Sequence, residues 1–438
     1  MDSPAEVSTM NGGRAPGYPW QRTAWGRHAP AYTTVAPPYL CVPSAPGIRA
    51  LPVVWRGRRT RVIIAAIQGE GNMADRIRVG IVGATVTPGG SGWGANAHVP
   101  ALNALSEYEL RAVCTAHEAT AKASAQKFGA SLAFHSMDEM VKHPDVDLVV
   151  VCVRVPWHYD LVMKSLRAGK PTFCEWPLGA SLKEAEEMAG LARERSLRTI
   201  VGLQARSDPA VLYARELIQG GHIGEVLAVQ LTVLAGAQLE RGAGRIWQGQ
   251  RTAGANTLTI AGGHGIEAMC TVVGEVAEVS ARLATRIKTW RHTETGQDVA
   301  VDSPDVINVA GRLQSGAELS VQIASVPFGG GQSRLDIFGR AGAMSLTSSG
   351  ALSVGPNRLL VTRGREAATE VEVPSRFKQA PASTPAGSAK NVAEAYKRFV
   401  DTTGNPHASA SRRTLADPSR WVGRQKRSAA RYQSATTE

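Results

Sequence analysis

From Ile77 to about Ile200, short apolar runs alternate with amphipathic stretches, and few folds accept that alternation. Ile77 to Val82, Leu110 to Cys114, Leu148 to Val153, Pro171 to Cys174 and Thr199 to Gly202 have the length and composition of buried strands. Between them, Thr120 to Phe128, Tyr159 to Ala168 and Leu182 to Arg195 space their apolar residues for one buried helix face. Strand and helix in turn predict a doubly wound parallel sheet of the dinucleotide-binding kind. Ala210 to Gln219 reads as a helix ending at Gly220-Gly221, after which the period changes to long strand-like runs: Val226 to Leu234, Val306 to Leu313, Leu319 to Ser325 and Leu335 to Phe338. A helical segment around Gly265 to Val273 interrupts them, and Asn391 to Val400 reads as a last helix. The expected domains are 73–200, dinucleotide-binding, and 201–401, for substrate and oligomerisation.

The flanks differ from this body. Of the net charge of +12, residues 1–72 contribute +5, from eight Arg against three acidic residues, and residues 402–438 contribute +5, from seven Lys and Arg against two. The body is close to neutral, with no nucleic-acid-binding module, so the charge marks basic, disordered tails and not a nucleic-acid surface. Residues 1–72 show neither helical nor strand period, and Met73 is the expected natural translation start. No apolar run reaches the roughly 18 residues of a membrane span. The five cysteines are odd in number, scattered and mostly in apolar surroundings. That suits reduced thiols in a cytoplasmic protein and argues against zinc.

The first strand runs into Gly80-Ile-Val-Gly83-Ala84-Thr85 and a long loop, Val86-Thr-Pro-Gly-Gly-Ser-Gly92-Trp93-Gly94, before a helix begins near Ala97-His98. A strand, a glycine turn and a helix N-terminus let backbone N–H groups cradle a pyrophosphate. Thr85 stands where the strict fingerprint has its second glycine, but the extra glycines keep close backbone approach open. The candidate cofactor residues here are Gly83, Ala84, Thr85, Gly92 and Trp93. An acidic residue at the end of the second strand selects NAD by binding the ribose hydroxyl and repelling a 2'-phosphate. Thr115 stands there instead, so NAD or NADP is expected, with a slight preference for NADP and with His117 or Lys122 as phosphate contacts. Val153, Arg154 and Pro156, after the fourth strand, would pass under the nicotinamide half, and His158 would open the next helix as a capping, packing or catalytic residue.

Several motifs carry a resemblance over Ile77 to Val400: Gly80-Ile-Val-Gly-Ala, His98-Val-Pro-Ala-Leu102, Val155-Pro-Trp-His158, Glu175-Trp176-Pro177, Gly202-Leu-Gln-Ala-Arg206, Gly221-His-Ile-Gly-Glu225 and Gly263-His264. Together they resemble the Gfo/Idh/MocA oxidoreductase family, and closest the branch that contains the fungal galactose-regulon repressor. The resemblance implies a Rossmann domain followed by an α+β domain with an open, mostly antiparallel sheet that often packs against a second copy, hence a homo-oligomer. Beyond Gly404 the family continues with an acidic helix, whereas this chain stays basic almost to its end, as a frameshifted or diverged tail would.

The family's Glu-Lys-Pro motif supplies a lysine that assists hydride transfer between a nicotinamide cofactor and a sugar-like substrate. Here Trp176 replaces it. An indole stacks on rings and donates one hydrogen bond, but exchanges no proton near neutral pH. The family also places a histidine in the second domain, often four residues after an aspartate. His264 matches the histidine, Ile260 takes the aspartate's place, and Thr259 substitutes for it only if one residue is inserted. His264 is therefore the expected proton-transfer residue, with Glu175 orienting the cofactor and its neighbours, and Trp176 covering the nicotinamide or a sugar face. Gln204, Arg206, Arg245 and Trp247 are expected to line the cleft and contact a polyhydroxylated substrate. Two functions follow from these residues: an NAD(P)-dependent oxidoreductase for a sugar, cyclitol or related compound, or a catalytically silent, nucleotide-binding regulator with a protein partner.

Overall fold

A computed structural model describes residues 76–87, 92–236, 239–352 and 354–401. The expectations for residues 1–72, for Met73 and for the tail after 401 lie outside them. The first sheet contains β1 (Ile77–Val82), β2 (Tyr108–Cys114), β3 (Leu132–Phe134), β4 (Leu148–Val151), β5 (Thr172–Glu175) and β6 (Thr199–Gly202), in the order β3-β2-β1-β4-β5-β6. All pairings are parallel. The order reverses between β1 and β4, and the carboxyl ends of those two strands open the crevice where dinucleotides bind in such sheets. Helices α1 (Val99–Ala104), α2 (Glu118–Phe128), α3 (Met137–Lys142), α4 (His158–Arg167) and α5 (Leu182–Glu194) complete the layers. The four residues of β4 are all buried, as a central strand covered on both faces must be.

The second half is built on eight strands: β7 (Val226–Gly236), β9 (Val276–Ala284), β12 (Val306–Leu313), β13 (Glu318–Val326), β14 (Gln332–Gly339), β15 (Gly342–Ser348), β16 (Arg358–Arg363) and β17 (Thr369–Glu370). Their order is β17-β16-β15-β14-β7-β13-β12-β9, antiparallel except where β7 and β13 run parallel. Alternation along β7 sends Val229, Leu231 and Val233 into the core shared with α6 (Pro209–Gln219) and α7 (Gly263–Val273), while Gln230 faces the other way, exposed. The residues between β7 and β9 make a detour that carries α7. The small sheet is formed by β8 (Glu240–Arg241), β10 (Thr289–His292) and β11 (Asp298–Ala300).

The last helix, α8 (Ser388–Asp401), lies in the range expected for the second domain but packs on the first. Ala389, Val392, Ala393 and Tyr396 repeat at helical spacing, and Val392, Ala393, Tyr396 and Phe399 join Ile77, Val79, Leu102, Tyr108 and Phe173 in one core. The amphipathic face was legible in sequence. Its destination was not, because a helix pattern names a buried face without naming what buries it.

Candidate active site

A cavity of about 870 Å³ opens at the carboxyl ends of β1 and β4, near the upper end of the range for small-molecule sites. One end is lined by Gly83, Thr85, Val86, Thr87, Gly92, Trp93 and Asn96, with Lys127 and Phe128 from the end of α2. Its other walls include Cys152 to Val155, His158, Glu175 to Pro177, Arg245, Trp247, Gln248, Ile260, Ala261 and His264. Gly83 has φ +101°, and a Cβ there would collide with the Cys152 carbonyl oxygen, so only glycine lets the β1 turn pass the end of β4. Val86 N–H donates to Ser124 Oγ at 3.1 Å, which fastens the turn to α2. A close glycine turn followed by a helix, at the switch point of this sheet, fits a dinucleotide's pyrophosphate.

Glu175 ends β5 as a buried carboxylate surrounded by donors. His98 Nε2 donates to Oε1 at 2.8 Å, and Gln204 Nε2 lies 3.1 Å from both oxygens. The other imidazole nitrogen, His98 Nδ1, is 2.8 Å from the Tyr396 hydroxyl, which donates to it once Nε2 carries the ring proton. Tyr108 OH donates to the Tyr396 carbonyl at 2.8 Å. Burial pushes the Glu175 carboxyl up, but the donors His98 and Gln204 outweigh it and hold the group below the usual carboxylate range. Glu175 is thus ionised at the cavity wall.

Trp176 precedes a cis peptide to Pro177. Its indole N–H donates to the Thr259 carbonyl at 2.6 Å. The ring lies so close to α7 that a Cβ on Gly263 would fall 2.5 Å from the indole nitrogen. Gly263 is the space the indole occupies. The next residue, His264, lines the cavity; its Nδ1 is enclosed and has no hydrogen-bond partner. Burial pushes the imidazole down to about 4, against the opposing charge of Glu175. It is neutral at pH 7 and available as a proton acceptor.

Residues 77–203 match the family described as "Oxidoreductase family, NAD-binding Rossmann fold", and residues 209–348 match "Gal80p, C-terminal domain". Dehydrogenase aclE of Aspergillus oryzae is 35% identical over 250 residues, covering 55% of this chain and 68% of the relative. The chain belongs to the Gfo/Idh/MocA oxidoreductase family. The galactose/lactose metabolism regulatory protein GAL80 of Saccharomyces cerevisiae is 26% identical over 369 residues, 76% of this chain and 80% of the relative. Levoglucosan dehydrogenase, solved with NADH and levoglucosan, shares the fold at a TM-score of 0.67 and 20% identity, covering 81% of this chain and 98% of that one.

Several residues expected at this Gfo/Idh/MocA site are elsewhere. Gln204 and Arg206 do not line the cavity: Gln204 is behind the wall on Glu175, and Arg206 pairs with the buried Glu267 of α7, which needs a cation. Ala84 is buried and Pro156 exposed, both outside the lining. Thr115 is also outside it, because its hydroxyl engages the His117 carbonyl at 3.0 Å and Thr120 Oγ1 at 2.7 Å. Lys122 pairs with Glu118 at 2.6 Å, and Lys127, five residues on, reaches the cavity instead. Thr259 turns its hydroxyl to Asn256, leaving Ile260 in the lining. His158 contributes lining but is held between the Pro177 carbonyl at 2.9 Å and the Val153 carbonyl at 3.1 Å. Burial keeps its pKa below the ordinary value despite those acceptors. It fastens the cis turn to the end of β4. The remaining expected residues, Gly83, Thr85, Gly92, Trp93, Val153, Arg154, Glu175, Trp176, Arg245, Trp247 and His264, do share the cavity.

Sequence reasoning assigned no role to His98. The signal was a histidine amid apolar Ala97, Val99, Ala101 and Leu102, a polar group on a buried face that must find partners.

Proposed function

We propose that the protein is an NAD(P)-dependent oxidoreductase acting on a CH–OH group or the corresponding carbonyl of a sugar, cyclitol or related compound. The carrying observation is a neutral imidazole, His264, lining the same cavity as the glycine turn and within the field of the ionised Glu175. A nicotinamide cofactor supplies a hydride acceptor or donor. In oxidation the carbinol carbon gives up hydride, the hydroxyl proton passes to His264, and a carbonyl remains. Glu175 favours the imidazolium so formed, and His98 and Gln204 keep the carboxylate ionised and in place. Trp176 closes the wall next to His264 and presents an apolar face in place of a lysine. Lys127 in the same cavity lining as Thr85 and Thr87, with no acid at Thr115, supports NADP as the preferred cofactor. We further propose a homo-oligomer formed through the face of the eight-stranded sheet opposite α6 and α7, checked by sedimentation.

The test is to titrate the full chain with NAD and NADP, then follow reduced-nicotinamide absorbance over a panel of sugars and cyclitols. Turnover abolished by His264→Ala supports the reading. A second reading, a nucleotide-binding regulator without catalysis, is favoured by Trp176 at the lysine position and by the match over residues 209–348. Tight cofactor binding without turnover on any compound, unchanged in His264→Ala, supports that one.

A further inference from the structure

The charged groups lining the cavity are unbalanced. Among the described residues, Lys127, Arg154 and Arg245 face it, and the carboxylate that answers them, Glu175, already accepts from His98 and Gln204. Lys127 belongs to the glycine-turn end. The two arginines come from the end of β4 and from the segment before β9, and Arg154 Nη2 donates to the Ala243 carbonyl at 3.2 Å while its guanidinium lies 6.0 Å from the Trp247 ring. These contacts join the end of β4 to the segment that carries Arg245.

Neither guanidinium has a carboxylate within ion-pair distance among the described residues, whereas Arg340 and Arg358, also exposed, pair with Glu225 at 2.8 Å and Glu370 at 2.6 Å. The acid closest to this segment by its bonds is Glu294. It is engaged by the Ala243 N–H at 3.1 Å, the Thr293 hydroxyl at 3.0 Å and His292 at 3.0 Å. Outside the lining but on the same segment, Arg241 lies 4.8 Å from the Trp290 ring with its Nε enclosed and unbonded. Burial and the charge of Arg245 push Arg241 below its ordinary value, so the two guanidiniums are close enough to repel. Holding like charges together at a cavity mouth is unfavourable unless something of opposite sign joins them.

We propose that the substrate is an anion: a hydroxy or keto compound bearing a carboxylate or phosphate group, which Arg245 and Arg154 take while the reacting hydroxyl or carbonyl meets His264. The planar guanidinium fork suits either group in bidentate fashion. This inference rests on the oxidoreductase reading for the reaction but not for the binding. It narrows the polyhydroxylated class to its acidic members and gives Trp247 the task of holding Arg154 in place.

The experiment titrates the NADP-loaded full chain calorimetrically with glucose, glucuronate and glucose 6-phosphate, and with the neutral and acidic cyclitols inositol and quinate. The same series is run on Arg245→Gln and, as a control, Arg340→Gln. At least one acidic compound is expected to bind at least about tenfold more tightly than its neutral counterpart. Arg245→Gln should abolish that difference while leaving NADP binding and the melting temperature unchanged. Which acid wins separates carboxylate from phosphate. The proposal is overturned if no acid outbinds its neutral partner, or if Arg245→Gln weakens NADP itself, which would make the arginine part of the cofactor site. Turnover confined to neutral compounds also overturns it but leaves the oxidoreductase reading standing. Arg245-dependent acid binding with no turnover on any compound sustains it and removes that reading.

Discussion

Replacing His98 tests the chain of buried groups behind Glu175. In His98→Ala the carboxylate loses a charge-assisted bond, worth about 1.5–3 kcal/mol, and the enclosed Tyr396 hydroxyl loses its partner, worth about 1–3 kcal/mol. The ring also leaves a gap between Phe173 and Tyr396, whose centroids lie 5.0 and 5.8 Å from it. The sum, on the order of 3–6 kcal/mol, is a large share of a typical total stability of about 5–15 kcal/mol. Tyr396→Phe removes only the donor to His98 Nδ1 and should cost about 1–2 kcal/mol. Urea unfolding of both single variants and the double variant gives the coupling, expected at about 0.5–3 kcal/mol because the residues share one network. Single-variant costs under about 0.5 kcal/mol, or strict additivity, would refute the claim that these groups jointly hold the carboxylate.

Three further outcomes follow from individual groups. With its pKa pushed down to about 4, His264 should give a pH profile of kcat/KM whose acid limb lies near 4; a limb at the ordinary histidine value of about 6.5 contradicts the burial argument. Because the folded value lies below the unfolded one, stability is fully present above about pH 6.5 and falls as the pH drops toward 4, by at most about 3 kcal/mol from this residue, an effect that His264→Gln removes from urea midpoints. Burial pushes Asp208, the N-cap of α6, up to about 6, outweighing Asn357 and the backbone N–H groups it caps. Its ionisation therefore opposes folding as the pH rises through 4 to 6, and Asp208→Asn, which keeps the cap, should stabilise by about 1–2 kcal/mol at pH 7 and not at pH 4; equal effects at both values count against it. Gly263→Ala should cost about 1–3 kcal/mol by forcing the Trp176 indole off α7, and Trp176→Leu in the same chain should restore most of the loss in thermal melts.

Much of the fold could be read from local pattern. The strands at 77–82 and 199–202 have the bounds that periodicity assigned them, and β2, β4 and β5 differ by a residue or two at their ends. The three-residue β3, the six-residue α3 and the short strands β8, β10 and β11 are too brief for a period to show. At the site, the glycine turn was visible in the strand–turn–helix pattern, whereas Glu175, Trp176 and His264 were visible only through the family motifs they match. Gln204 and Arg206 deceived because a polar residue near a cleft looks the same in sequence whether it faces ligand or answers a buried carboxylate.

The sequence by itself determined the doubly wound layer and the turn that only glycine can make, because these depend on residue type and near-neighbour spacing, and its family motifs marked the exchange of lysine for Trp176. Tertiary structure alone decided that α8 returns to the first core, that Tyr396 reaches His98 and His98 reaches Glu175, that Gly263 leaves room for the indole, and that Arg154 reaches the segment that carries Arg245. Each of those facts joins residues about 80 to 300 positions apart. Contacts at that range depend on how whole elements pack, which no local period encodes.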